Sequence, residues 1–327
     1  MRAPKLIARL GAVALASLLT VSLAACGADS KAAPSNDGKP EVTEMKVGYT
    51  PVVDHAGLFQ AIQKGYFQEA GLTVTPQAAP GTSIATMVSG DFQAAFGTYP
   101  SFLLSKQNGI DLRIIALGAN GNEKDNGIFA NPASGITTIK GLAGKKVAVN
   151  ALNNVGDLTL KSTLRENGVD PASIQLMELP FTEMPAALER GAIDAAWTPE
   201  PAQAIMKSKG MVDLGSTYTG PTANIPIAGV AMTEAFVKKN PNTAAAFATA
   251  LQRANADLAA DPELARNLVA GYSKTSPEII ATMEIPAWKT GYPQAADLEV
   301  WNTLTMELGN LEKKQDLGSM VYDPTKG

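Results

Sequence analysis

The chain has 327 residues, of which 45% are hydrophobic and 18% charged, and its formal net charge is −4. This length suits two lobes with separate cores, and the mild acidity, with no Lys- or Arg-rich block, argues against a nucleic-acid partner. One Cys and one His leave no disulfide within the chain and no thiolate metal cluster.

At the N-terminus, Arg2, Lys5 and Arg9 precede an apolar run over 10–19. A positive start ahead of a short apolar run is an export signal, and the run is too short for a membrane span. It ends in Leu23-Ala24-Ala25-Cys26, which resembles the bacterial lipobox, where the cysteine is lipidated and becomes the mature N-terminus. Residues 1–26 are therefore expected to be a lipoprotein signal peptide with Cys26 as its lipidation site. Residues 27–43 are rich in Ser, Asp, Lys, Pro and Ala without apolar periodicity, and are expected to form a flexible tether.

The first half begins near residue 44 with an apolar strand over 45–49. Its loop carries Asp54 and His55, after which Leu58, Phe59, Ile62 and Phe67 recur at helical spacing. A second strand over 72–75 precedes Thr82 and Ser83, either of which can cap the helix bearing Ile84, Met87 and Val88. A third strand ends at Phe96, just before Thr98 and Tyr99. A fourth covers 112–117, an exposed polar loop covers 120–127, and a further strand covers 128–131.

The second half repeats the first. Residues 90–100 (Gly-Asp-Phe-Gln-Ala-Ala-Phe-Gly-Thr-Tyr-Pro) have a twin at 191–201 (Gly-Ala-Ile-Asp-Ala-Ala-Trp-Thr-Pro-Glu-Pro), and the strand at 45–49 has one at 145–149. Each half reads β-α-β-α-β-α, so the fold class is α/β with two Rossmann-like lobes. Each lobe is expected to hold a parallel sheet covered by helices, with ligands at the carboxyl ends of its strands. Two such halves imply one shared cleft. In the second half, Asn153, Asn154 and Asp157 follow the first strand, and Trp197 and Glu200 end the third. Residues 225–232 form a returning strand, and 243–311 are mostly helical and need the first lobe to pack on.

Several of these residues also have plain structural readings. His55 fits an exposed loop, Thr82 and Ser83 fit helix caps, and Asp157 fits a first-turn acid that complements the helix dipole. Trp197 fits a core residue, whereas the Pro-Glu-Pro context argues that Glu200 is not buried.

Four segments together carry a resemblance: residues 64–74 (Lys-Gly-Tyr-Phe-Gln-Glu-Ala-Gly-Leu-Thr-Val), 90–100, 142–149 (Leu-Ala-Gly-Lys-Lys-Val-Ala-Val), and 187–196 with Glu200 and Pro201. In this order and behind a lipobox, they are similar to the solute-binding proteins of bacterial ABC importers, in the nitrate/sulfonate/taurine and thiamine-pyrimidine-binding group. The resemblance covers nearly all of the mature chain. It implies the type II periplasmic-binding-protein fold, with hinge crossings near 128–132 and 224–228. Lobe 1 would comprise 44–128 and 228–327, and lobe 2 would comprise 129–227.

The function so implied is capture without chemistry, by a monomer with no catalytic residue, metal or cofactor. Its partners would be a small-molecule ligand, an ABC permease with its ATPase, and the outer face of the cell membrane through the lipid anchor. The candidate ligand-binding residues are Asp54, His55, Thr82, Ser83, Thr98, Tyr99, Asn153, Asn154, Asp157, Trp197 and Glu200. The run from His55 to Leu58 resembles one in thiamine-pyrimidine binders. Residues 150–157 stand where sulfonate and nitrate binders carry a Gly-Ser/Thr run, and depart from it.

Asp54, Asp157 and Glu200 lie in expected cleft loops without an Arg or Lys, so the ligand is expected to be a neutral or cationic nitrogen heterocycle such as a pyrimidine. Taurine or another aliphatic sulfonate is the alternative, as is a sensing role without transport. A related enzyme that makes the thiamine pyrimidine holds iron on a cysteine-rich segment this chain lacks, and the export signal contradicts a cytoplasmic dehydratase of the same architecture.

Overall fold

The computed structural model describes residues 38–79 and 83–325, and, among these, twelve strands form two five-stranded sheets and one short antiparallel pair. The expected signal peptide, Cys26, Thr82 and most of the expected tether lie outside the described residues. In chain order the strands are β1 (Glu44–Tyr49), β2 (Thr73–Ala78), β3 (Ala94–Thr98), β4 (Leu112–Leu117), β5 (Ala119–Asn120), β6 (Asn126–Ala130), β7 (Lys146–Val149), β8 (Gln175–Glu178), β9 (Ala195–Pro199), β10 (Val212–Asp213), β11 (Ala228–Thr233) and β12 (Ala287–Trp288).

The first sheet runs β2-β1-β3-β11-β4 and the second β8-β7-β9-β6-β10. In each, four strands run the same way, and one strand from the other side of the chain enters antiparallel to them: β11 between β3 and β4, and β6 between β9 and β10. The sheets are therefore mixed rather than purely parallel. Each is completed by the strand that arrives across the hinge, and that strand enters from the opposite end.

The repeat is visible in the geometry. Gly90 and Gly191 both take left-handed φ, +89° and +68°, and stop a helix just before β3 and β9. Those strands are central and built of small residues with one large ring each, Phe96 and Trp197, both buried. Edge strand β2 carries Pro76, a residue that a central strand would not accommodate. The long helix Pro241–Ala260 returns to the first lobe, where Phe247 stacks on Phe67 at 4.8 Å.

The crossings differ from expectation. The first sheet gives up the chain at Leu117 and the second receives it at Asn126, so the first crossing is 118–125 rather than 128–132. Ile128 is fully buried and pairs with Trp197 in mid-sheet. The polar run expected as an exposed loop is thus the crossing itself, and Asp125 and Asn126 are buried. The second crossing spans 214–227, from the Leu214 N–H bonded to the Ile128 carbonyl to the start of β11.

The last residues of the expected tether are also held. The Glu41 carboxylate accepts from the backbone N–H groups of Asn242 and Thr243, at 3.1 and 2.9 Å, and the Val42 N–H donates to Thr243 Oγ1. N–H groups at a helix start that lack a partner within the helix make such a carboxylate contact favourable.

Candidate functional site

A cavity of about 60 Å³ lies between the carboxyl ends of the two sheets. The first lobe contributes Thr50, Val52, His55, Phe96, Gly97 and Thr98. The second contributes Asn150, Asn154, Val155, Phe181, Trp197 and Pro199, and Ile227 comes from the second crossing. Thr50 and Asn150 occupy equivalent places after β1 and β7, as Phe96 and Trp197 do in β3 and β9. None of these side chains is an Arg, Lys, Asp or Glu.

His55 is buried, not exposed. Its ring stacks on Phe96 at 4.1 Å, and its Nδ1 accepts the Thr50 N–H at 3.0 Å. Burial pulls the imidazole down to about 3, so it is neutral at physiological pH. With Nδ1 accepting, the proton sits on Nε2. Opposite, the Trp197 indole packs against Gly156, where a Cβ would collide with the ring, and lies 5.9 Å from Phe181. Its Nε1–H donates to Thr217 Oγ1 at 2.9 Å.

The lobes meet directly. Thr98 Oγ1 donates to Asn154 Oδ1 at 2.6 Å, and the same oxygen caps the helix Val155–Glu166 by accepting the Val155 N–H. Asn153, at a left-handed φ of +56°, bonds Asn310 from the C-terminal segment.

Among the described residues, the remaining expected site residues lie outside the cavity lining. Asp157 is fully buried, ion-paired to Lys161 at 2.9 Å, and accepts the Asn153 N–H. Glu200 is also fully buried, contrary to its Pro-flanked context. Its carboxylate accepts from Gln203 Nε2, the Ala204 N–H and the Glu284 N–H, so it holds the helix Ala202–Ser208 and reaches the first lobe. Tyr99 is buried at the start of the helix Tyr99–Gln107, beside Phe102. Ser83 is buried and makes no capping bond with the helix Ile84–Val88.

Asp54 is buried one residue from His55, and burial pushes its carboxyl up to about 7. Asp125 on the first crossing was not anticipated. Burial, then the nearby charge of Asp54 and more weakly that of Glu200, push it up to about 8, and one of its carboxylate oxygens has no partner. The acids thus sit behind the cavity wall rather than on it. Phe96, Asn150 and Phe181 line the cavity although they were not among the candidates; the repeat offered a signal for Phe96, whose twin Trp197 was one.

Comparison with known proteins settles the family. The family model described as NMT1/THI5 like matches residues 52–265, a span that takes in parts of both lobes. The chain belongs to the NMT1/THI5-like family. Among its relatives, the riboflavin-binding protein RibY of Chloroflexus aurantiacus is 23% identical over 277 residues, 80% of this chain and 77% of that protein. A Bacillus subtilis protein named for aliphatic-sulfonate binding is 30% identical over 190 residues, 54% of this chain and 53% of its own length.

Solved structures share the fold. The periplasmic nitrate-binding protein NrtA of Synechocystis superposes with a TM-score of 0.73 at 19% identity, covering 86% of this chain and 87% of that one. The periplasmic aliphatic sulphonate binding protein SsuA of Escherichia coli gives 0.68 at 18% identity, covering 86% and 98%. This family member therefore has the two-lobed periplasmic-binding-protein architecture.

Proposed function

We propose that the protein is the solute-binding component of an ABC importer and captures a small, flat, uncharged nitrogen heterocycle of pyrimidine type between its lobes. The observation that carries this reading is the cavity wall. His55, Phe96, Phe181 and Trp197 supply rings from both lobes, while Thr98, Asn150 and Asn154 supply neutral polar groups, with no charged side chain among them. Flat rings bind between aromatic faces, and a few neutral donors and acceptors fix their orientation.

Size narrows the class. At roughly 15 Å³ of accessible volume per water, a cavity of about 60 Å³ suits a single-ring compound. The relative named for riboflavin supports a nitrogen heterocycle, and the cavity in this closed arrangement supports a smaller one. The sulfonate reading, favoured by the Bacillus subtilis relative, finds less support. The N–H of Val155 at the helix start already bonds Asn154, and Asp157 occupies the first turn. Export and anchoring through Cys26 belong to the same proposal.

Thermal shift tests the ligand. A binder at about 100 times its dissociation constant adds roughly 2.7 kcal/mol. We expect hydroxymethylpyrimidine-like bases to stabilise the protein and taurine, alkanesulfonates and nitrate to leave it unchanged. Stabilisation by the sulfonates alone would replace this reading with the alternative.

A further inference from the structure

Behind the cavity wall, Trp197 ends in a buried polar node. Its Nε1–H donates to Thr217 Oγ1 at 2.9 Å, and Thr217 Oγ1 in turn donates to Asn126 Oδ1 at 3.0 Å. The Thr217 N–H reaches the same Asn126 oxygen at 3.0 Å, and the Thr159 hydroxyl lies 2.9 Å from Thr217 Oγ1. Asn126 is oriented from its other end, its Nδ2 donating to Ser216 Oγ at 2.9 Å. Thr159 and Thr217 are fully buried, and Asn126 and Trp197 nearly so.

These residues come from distant parts of the chain. Asn126 is the residue at which the first crossing enters the second sheet, Thr217 lies on the second crossing, and Trp197 faces the cavity from β9. A hydroxyl has one proton and two lone pairs. That of Thr217 gives its proton to Asn126 and receives the indole N–H, with Thr159 beside its second lone pair. A methyl in its place would strand the indole N–H in a buried site, which costs more than the bond contributes.

We propose that Thr217 is a positioning residue that ties the indole of Trp197 to both hinge crossings, so that the place of the ring and the closure of the lobes are set together. The proposal rests on the reading of Trp197 as a cleft-facing ring. Hinge motion in two-lobed proteins is absorbed by a few residues at the crossings. A node joining both crossings to a cavity ring is therefore placed to convert a push on that ring into a bias on closure.

The test needs no ligand, so an error in the ligand class leaves it intact. In the full chain labelled with nitrogen-15 tryptophan, the Trp197 indole resonance is identified by its loss in Trp197→Phe. Thr217→Val is expected to speed exchange of that indole N–H about tenfold, the scale of one net hydrogen bond near 1.4 kcal/mol. It is also expected to increase the radius of gyration in small-angle scattering, and Thr217→Ser should restore both values. If Thr217→Val fails to fold, Thr217→Cys, with a weakly bonding thiol, is expected to give the same pair of changes at smaller size. Unchanged exchange, or faster exchange with an unchanged radius of gyration, would overturn the proposal.

Discussion

Thr98 and Asn154 meet across the cleft, with Thr98 Oγ1 donating to Asn154 Oδ1 at 2.6 Å. One belongs to the end of β3 and the other caps the helix after β7, so the bond joins the carboxyl ends of the two sheets. Thr98→Val removes the donor and leaves the Asn154 cap intact. It is expected to weaken closure by about 1 kcal/mol, the net worth of such a bond, with little change in melting temperature. Small-angle scattering of the variant should show a larger mean radius of gyration than the parent; an identical radius would show that the bond does not hold the lobes.

Trp197 lines the cavity while packing on Gly156 and Phe181. Trp197→Ala is expected to weaken binding of the stabilising heterocycle by roughly 1–3 kcal/mol, the scale of exposing a large apolar side chain. Calorimetric titration measures it. A variant that loses thermal stability but keeps full affinity would assign the ring to packing alone.

His55 should make the protein acid-sensitive without making binding pH-dependent near neutrality. Its folded pKa, about 3, lies below the ordinary value of 6.5. Its contribution to stability is therefore present above pH 6.5 and is lost as pH falls towards 3. Ligand affinity is expected to stay level between pH 5 and 8, and His55→Gln should reduce the loss of stability between pH 6 and 4. A binding midpoint near pH 6.5 would mean that the imidazole titrates normally.

The buried acids act in the opposite direction. Asp125 at about 8 and Asp54 at about 7 both lie above the ordinary value of 3.8. The native state then holds protons that the unfolded chain has released, so their stabilising share is complete below about pH 4 and is lost as pH rises through 7 and 8. Asp125→Asn retains an acceptor for the Asn122 N–H that Asp125 now binds at 2.9 Å. It is expected to raise stability at pH 9 by about 1–3 kcal/mol, the cost of a buried unpaired polar group. Urea melts at pH 5 and pH 9 give the comparison, and an equal or lower stability at pH 9 would contradict it.

Anchoring is tested by fractionation. If Cys26 carries the proposed anchor, Cys26→Ala is expected to move the protein from the membrane fraction to the medium or periplasm, since stable anchoring takes more than one acyl chain and the variant would have no site for them. Undiminished membrane retention would refute the anchor.

The sequence by itself determined the elements and their repetition. Short apolar strands, helical spacing and paired glycine stops are local signals, and they place His55, Thr98, Asn154 and Trp197 at strand ends, where an α/β lobe presents ligands. The tertiary structure decided which strand-end residues face the cavity. Glu200 looked exposed between two prolines, yet the N–H groups of Ala204 and of the distant Glu284 hold its carboxylate inside. Asp157 turned to Lys161 and Asn153. The run over 120–127, most of it in the first crossing, looked like a surface loop because its residues are polar. Only the arrival of Ser216 and Thr217, some ninety residues later, supplies the partners that let Asn126 be buried. A charged group's final position depends on which donors reach it, and those donors come from parts of the chain that local sequence does not bring together.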